Sequence, residues 1–201
     1  MNNFYYTENP DVQHDEKHWE YTLLNYTLSF VSDNGVFSKS TIDYGSRVLI
    51  NAVDLKNIPA GNILDLGCGY GPIGLFLAKN NPDRNFTMVD VNNLALSLAK
   101  RNAEQNQIEN VSIFASNVYE NVEGKFAAII TNPPVRAGKE VVDAMITGSY
   151  DHLEKDGTLT VVLQKKQGAP SAKKLMKKIF GNVEIVTRDK GYYILLSRKV
   201  D

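Results

Sequence analysis

From Gly61 onward the chain alternates short apolar, β-branched runs with longer stretches of helical spacing. The apolar runs fall at 62–66, 85–90, 111–115, 126–131 and 158–163 and read as strands. Between them, helical patterns run over 72–80, 93–106 and 139–153, and a further one covers 171–180, with Ser171 as its N-cap and Gly181 just past its end. Alternation of this kind predicts a parallel sheet with helices on both faces. The tail changes character. Residues 183–187 and 192–197 are strand-like and are joined only by 188–191, too short for a crossover helix, so these two strands must pair antiparallel. Ahead of the sheet, 19–31 reads as a hairpin or strand pair. Residues 43–53 read as a helix, with Val48, Leu49, Ala52 and Val53 among its apolar positions.

Five parallel strands followed by an antiparallel hairpin make a seven-stranded, mostly parallel, doubly wound α/β sheet. That is the arrangement of class I S-adenosylmethionine-dependent methyltransferases, and simple dinucleotide-binding folds do not end this way. No linker, repeat or low-complexity segment interrupts the chain. One domain over 1–201 is expected, with 1–60 as an N-terminal elaboration and 61–201 as the cofactor-binding sheet.

Composition narrows the picture a little. Apolar residues make up 43% and charged residues 22%, ordinary values for a soluble globular protein. Cys68 is the only cysteine and can form no intrachain bridge, which suits a reducing cytosol. Residues 1–6 lack the basic-then-apolar order of a signal peptide. No apolar run approaches the roughly 20 residues of a membrane helix. A cytoplasmic protein with no membrane partner is expected. The net charge of -1 hides an asymmetry: residues 151–201 carry 11 Lys and Arg against 6 Asp and Glu, whereas the rest carries 11 against 17. A basic end on an acidic body can steer a polyanion to one face, although a merely solvated helix face fits the same count.

The candidate chemistry gathers at strand ends. Asp65-Leu66-Gly67-Cys68-Gly69-Tyr70-Gly71 spans the turn from the first strand of the sheet to its first helix. In a doubly wound sheet that turn faces the ligand crevice. A literal dinucleotide hexad is also present, Gly69 to Gly74, with Asp90 following at a distance suited to a ribose. Three features argue against a nicotinamide cofactor. Gly67 starts the turn two residues too early for a pyrophosphate loop, Pro72 removes an N–H from the helix start, and Asp65 would repel phosphates but attract a methionyl ammonium. S-adenosylmethionine is the better fit. Asp90, ending the second strand of the sheet, can accept both ribose hydroxyls. Asn117, past the third, can pair with adenine, although an Asn there is equally a turn residue.

Asn132-Pro133-Pro134 follows the fourth strand at the same edge and is the most informative tripeptide in the chain. An amino nitrogen on a base is a poor nucleophile, because its lone pair is delocalised into the ring. Two acceptors aimed at its hydrogens, the Asn132 side-chain oxygen and the Pro133 carbonyl, favour pyramidalisation and stabilise the developing positive charge. The prolines fix φ and keep the loop from collapsing into helix. His14, His18 and His152 lack ligand spacing with any Cys or His, so no metal is expected. Arg136, Lys139, Lys165 and Lys166 are placed as an RNA-binding rim around this edge, drawing phosphate contacts.

With these residues in place, the chain resembles the ribosomal RNA small-subunit methyltransferase C family, which methylates guanine N2 in 16S rRNA. It looks like that family's compact, single-domain branch. The segments Gly35-Val36-Phe37-Ser38 and Asp43-Tyr44-Gly45-Ser46 resemble the family's pre-sheet cofactor segment. The resemblance implies that Asp65, Gly67, Cys68 and Gly69 line the methionyl part, Asp90 the ribose and Asn117 the adenine. It implies that Phe37 and Ser38 close over the cofactor, and that Asn132, Pro133 and Pro134 hold the target amine beside it. RNA, as 16S rRNA or the small ribosomal subunit, is the implied partner, and a monomer is expected. Two departures stand out. The position after Asn-Pro-Pro, usually aromatic in related enzymes, is Val135. The longer members' second, degenerate N-terminal domain has no room in the 60 residues before the sheet. Adenine N6, cytosine N4 and a protein glutamine amide remain alternative targets, and a non-catalytic nucleotide-binding module is the alternative outside this class.

Overall fold

The computed structural model describes residues 6–38 and 40–201, so the leader reading of residues 1–5 lies outside the described residues. Strands β1 (Lys17–Leu23) and β2 (Tyr26–Ser32) form the expected antiparallel hairpin. Leu24 and Asn25 turn between them at φ 52° and 64°, both left-handed as a type I′ turn requires. Helix α1 (Tyr44–Ala52) follows, with Asp43 as its N-cap. Then come β3 (Ile63–Leu66), α2 (Pro72–Asn80), β4 (Phe86–Asp90), α3 (Asn93–Gln105), β5 (Val111–Ala115), β6 (Phe126–Thr131), α4 (Lys139–Ser149) and β7 (Leu153–Gln164). Helix α5 (Ala169–Phe180) and strands β8 (Glu184–Asp189) and β9 (Tyr192–Arg198) complete the chain.

The second sheet has seven strands in the order β5-β4-β3-β6-β7-β9-β8. Strands β3 to β7 are parallel, and β9 runs antiparallel to both of its neighbours. The fold is therefore the class I methyltransferase arrangement. The last strand lies inside the sheet, and β8, which precedes it, takes the edge. Side-chain character explains the exchange. Ile194 and Leu195 of β9 are fully buried, whereas β8 buries no residue and carries Glu184, Thr187, Arg188 and Asp189, a polar strand suited to an edge.

Neighbouring residues on the central strands feed opposite layers. Ile63, Met88, Ile130, Val162 and Ile194 join α1, α2 and α3, while Leu64, Val89, Ile129, Val161 and Leu195 pack with α4 and α5. Strands buried on both faces read as continuous apolar runs, which is why they were visible in the sequence. The hairpin docks on the α3 side. Asn102 of α3 accepts from Val31 N (2.8 Å) and donates to Val31 O (3.0 Å), and Asn106 does the same for Ser29 (2.9 and 2.7 Å). Two side-chain amides one helical turn apart thereby satisfy the open edge of β2.

Some element boundaries differ from the sequence reading. The helical pattern over 139–153 stops at Ser149, and β7 starts at Leu153 rather than at 158. Leu153 pairs with Phe126 ahead of a register shift, so an apolar residue that continued the helical spacing is taken by the sheet instead. Helix α5 starts at Ala169, not after Ser171. Gly168, at a positive φ of 106° that glycine adopts without strain, is its N-cap, and Pro170 occupies the first turn, where its fixed φ suits the helix and its missing N–H costs no bond.

Candidate active site

The loops after β3, β4, β5, β6 and β7 meet at the carboxyl edge of the sheet and enclose a cleft of about 360 Å³. Its walls include Gly67, Cys68 and Gly69 from the first turn, Asp90 from the second, and Asn132, Pro133 and Pro134 from the fourth. Phe37, half exposed, stands at the rim. Residues far apart in sequence are brought together because every parallel strand ends at this edge.

Asp90 organises the first turn. Its Oδ2 accepts from Gly69 N at 2.8 Å and its Oδ1 from Asn92 N at 2.9 Å. Asn92, not Asp90, caps α3, accepting from Ala95 N at 3.0 Å. Burial raises the Asp90 pKa against the lowering effect of the Asn92, Gly69 and Val91 amides. Gly69 sits at φ +57° with open space where a Cβ would stand, so its backbone faces the cleft directly. At Gly74 the packing is close: a Cβ would come within 2.7 Å of Met88 and 2.8 Å of Asp65 Oδ2.

Asp65 lies one layer behind the cleft wall and is 1% exposed. Its Oδ2 accepts from Gly74 N at 2.8 Å, tying the glycine turn to the start of α2, while the buried Oδ1 has no hydrogen-bond partner. Burial pushes its pKa up to about 7; the Gly74 amide lowers it and the nearby Asp90 charge raises it. A positive charge brought to the wall in front of it would favour its ionised form. Cys68, also buried, has its thiol pushed up by burial and by both carboxylates, so it is an inert wall residue rather than a nucleophile.

Asn132 is placed by two contacts. Thr131 Oγ1 donates to Leu66 O at 2.7 Å, pinning the end of β6 to the end of β3. The Asn132 Nδ2 donates to Ser46 Oγ (3.0 Å) and to the Asp43 carboxylate (3.2 and 3.4 Å). The Pro133 carbonyl already accepts from Val135 N at 2.9 Å, an inverse γ-turn centred on Pro134 (φ -75°, ψ 80°). One lone pair of that carbonyl remains for a ligand. Tyr192 also lines the cleft. Its ring rests on Gly45, where a Cβ would come within 2.8 Å of it, and packs 5.7 Å from the Tyr44 ring.

Several expected site residues stand apart from this wall. Asn117 is outside it; its Oδ1 accepts from the Tyr6 hydroxyl at 2.8 Å, and its neighbours Ser116 and Val118 face the cleft instead. Ser38 lies behind, its hydroxyl donating to Thr41 O and its carbonyl accepting from Tyr70. Of the four expected cations, only Arg136 lines the cleft. Lys139 lines an adjoining groove and is ion-paired with Asp143, one helical turn on. Lys165 and Lys166 are exposed on the single turn 165–167, where Gln164 and Gln167 reach the cleft in their place. Sequence reasoning missed Tyr6 and Tyr192, for which no local signal existed, and placed Asp43 and Ser46 only in a cofactor segment, whereas both reach Asn132.

The family model for the methyltransferase small domain matches residues 27–196. The chain belongs to the small-domain methyltransferase family. A Bacillus subtilis protein of uncharacterised function, YbxB, is 48% identical over 202 residues, covering the whole of both chains. The ribosomal RNA small subunit methyltransferase C of Aeromonas hydrophila is 36% identical over 177 residues, covering 85% of this chain and 49% of its own length. This chain thus spans about half the length of such relatives. Among solved structures, the Thermus thermophilus 16S rRNA N2 G1207 methyltransferase, in complex with AdoMet and guanosine, superposes with a TM-score of 0.82. It shows 23% identity over 92% of this chain and 50% of its own. A methyltransferase from Pyrococcus furiosus follows at 0.69 and 23%, covering 84% of this chain and 91% of its own. The protein is an S-adenosylmethionine-dependent methyltransferase with a fold like that of the small-subunit methyltransferase C relatives. Among the described residues, no helix is long and apolar enough to cross a membrane.

Asp65 yields a pH prediction for this methyltransferase. Its folded pKa of about 7 lies above the ordinary 3.8, so between these values the folded chain holds the extra proton. Stability therefore declines as pH rises from about 4 to 7 and is level above that window. A methionyl ammonium bound at the cleft wall in front of Asp65 would pull the pKa back down. Cofactor binding near pH 6.5 should then release a proton, read by calorimetry in buffers of differing ionisation heat, and Asp65→Asn should remove the release. Identical binding heats in all buffers would place the ammonium elsewhere.

Proposed function

We propose that this methyltransferase acts on an exocyclic amino group of a base in RNA, with guanine N2 of 16S rRNA as its target. The reading rests on one observation above all. Both Asn132 N–H groups have acceptors on the α1 side, which leaves Oδ1 as the side-chain atom available to a substrate amine. Bound S-adenosylmethionine supplies an electrophilic methyl on its sulfonium. As the amine nitrogen bonds to that methyl, the carbon–sulfur bond breaks and its electron pair stays on sulfur. The nitrogen becomes positive, and its hydrogens point at Asn132 Oδ1 and the free lone pair of Pro133 O. These preformed acceptors gain most where that charge is greatest, so they act on the transition state more than on binding. The methylated nitrogen then loses its proton to water. Tyr192, held on Gly45 beside Ser46, offers the flat apolar wall that Val135 does not.

The guanine assignment draws on the relatives at 34–36% identity that bear the small-subunit methyltransferase C name. An RNA path is supported by the second groove, which shares Val135, Arg136 and Gln167 with the cleft. Helices α4 and α5 both begin beside it, at Gly138 and Gly168, without a side-chain cap. Uncapped helix starts next to Arg136 favour a phosphate, with Lys139 in the same groove held by Asp143. The C-terminal positive charge is only partly available to RNA. Lys199 donates to Tyr150 O and Leu153 O, and Arg198 to Asp156 O and Asn57 O, so both serve the fold.

Transfer of labelled methyl to bacterial RNA, followed by nucleoside analysis, tests the function. N2-methylguanosine is expected. N6-methyladenosine, N4-methylcytidine or label in protein would redirect the substrate, and cofactor binding without transfer to any acceptor would overturn the reading. Reversing Lys165 and Lys166 to Glu should weaken RNA binding and flatten its salt dependence by roughly one unit or more of log–log slope, while leaving cofactor affinity unchanged. A parental slope in gel-shift titrations would take the RNA off this turn.

A further inference from the structure

The segment Asp43-Tyr44-Gly45-Ser46 touches the acceptor side of the site rather than only the cofactor side. A side-chain amide can turn over, exchanging its oxygen for its nitrogen at little cost, unless its neighbours choose between them. Around Asn132 they do. The Asp43 carboxylate, at 3.2 and 3.4 Å, is acceptor-only when ionised and makes the choice, while Ser46 Oγ at 3.0 Å is a second acceptor for the same nitrogen whose hydroxyl would accommodate either orientation. Turned over, the amide would set its oxygen against that carboxylate and aim two N–H groups at the N–H groups of a substrate amine. Both contacts would be repulsive. The mount itself is firm, because Asp43 Oδ2 also accepts from Ser46 N at 3.1 Å as the N-cap of α1, and α1 is anchored by fully buried Leu49 and Ile50. An N-cap needs only one carboxylate oxygen, yet both oxygens of Asp43 lie within reach of Asn132.

We infer that Asp43 and Ser46 are positioning residues for methyl transfer, locking the Asn132 amide with its oxygen toward the substrate nitrogen. The negative charge behind the amide also polarises it, which makes Oδ1 a stronger acceptor as the substrate nitrogen turns positive. The inference rests on the methyl-transfer reading above. It reassigns to the acceptor a segment that the family resemblance tied to the cofactor.

Asp43→Asn separates this role from helix capping, because asparagine caps as well as aspartate but brings no charge. The variant should melt near the parent and bind S-adenosylmethionine within about twofold, while kcat falls by about 10- to 100-fold, the worth of one charge-assisted hydrogen bond. Ser46→Ala should lose several-fold in kcat with the same split. In an Asn132→Ala background, where residual transfer is read in single turnovers, Asp43→Asn should cost nothing further, since its effect runs through Asn132. The side-chain amide resonances of Asn132 report the lock with no substrate present, and should shift and broaden in Asp43→Asn. Parental kcat in Asp43→Asn, a parallel loss of cofactor affinity, or an equal further loss in the Asn132→Ala background would each overturn the inference. A parent that shows the locked amide resonances but methylates no acceptor would instead sink the functional reading and leave the lock standing.

Discussion

Methyl transfer by Asn132→Ala should fall about 100- to 1,000-fold, the cost of removing one preorganised polar group from a charge-developing site. Affinity for S-adenosylmethionine should stay within about twofold. The asymmetry follows from what Asn132 touches. Its nitrogen faces Ser46 and Asp43, so its oxygen is left for the substrate, and that contact is strongest when the substrate nitrogen is positive. The fold should tolerate the change, since Thr131, not Asn132, ties β6 to β3 through Leu66 O. Single-turnover rates and calorimetry on the same preparation decide the matter. Robust turnover would remove Asn132 from the chemistry, and an equal loss of cofactor binding would make it a cofactor residue.

Asp90→Ala should do the opposite, weakening S-adenosylmethionine binding by 100-fold or more. Two effects add. A carboxylate offered to two ribose hydroxyls contributes charge-assisted bonds worth about 1.5–3 kcal/mol each. The same carboxylate holds Gly69 N at 2.8 Å and Asn92 N at 2.9 Å, so its loss frees two loops that the cofactor would then have to order. Asp90→Asn keeps an oxygen for one loop and should fall between parent and alanine. Calorimetry on variants shown to be folded by circular dichroism reads the effect. Parental affinity in Asp90→Ala would take the ribose away from this carboxylate.

The relation between chain and fold is uneven. The strands at 62–66, 85–90 and 126–131 were legible to within a residue or so because a strand buried on both faces allows almost nothing but apolar side chains, and the half-exposed edge strand at 111–115 was legible from its β-branched and aromatic residues between polar turns. The stretch around Leu153 was misread, since an apolar residue at helical spacing is equally a strand residue once Phe126 pairs with it. The glycine turn, Asp90 and Asn-Pro-Pro were legible because each ends a strand of a doubly wound sheet, and local order alone puts such ends at the crevice. Of the cations, only Arg136 was. Arg136, Lys139, Lys165 and Lys166 leave the same edge, but a long charged side chain goes wherever a partner or solvent favours it. Asp143 beside Lys139 is one such partner.

By itself the sequence determined the layer architecture, the class of chemistry and the order of the turns that carry it. These depend on periodicity and on residues only a few positions apart. The tertiary structure alone decided that β9 inserts between β7 and β8, because interior strands need two apolar faces and β8 is mostly polar and exposed. It alone seated Tyr192 on Gly45 and turned Asn117 toward Tyr6. It alone brought Asp43 and Ser46 against Asn132, across 89 and 86 residues. Contacts of that range arise when packed layers close, and no local pattern encodes them.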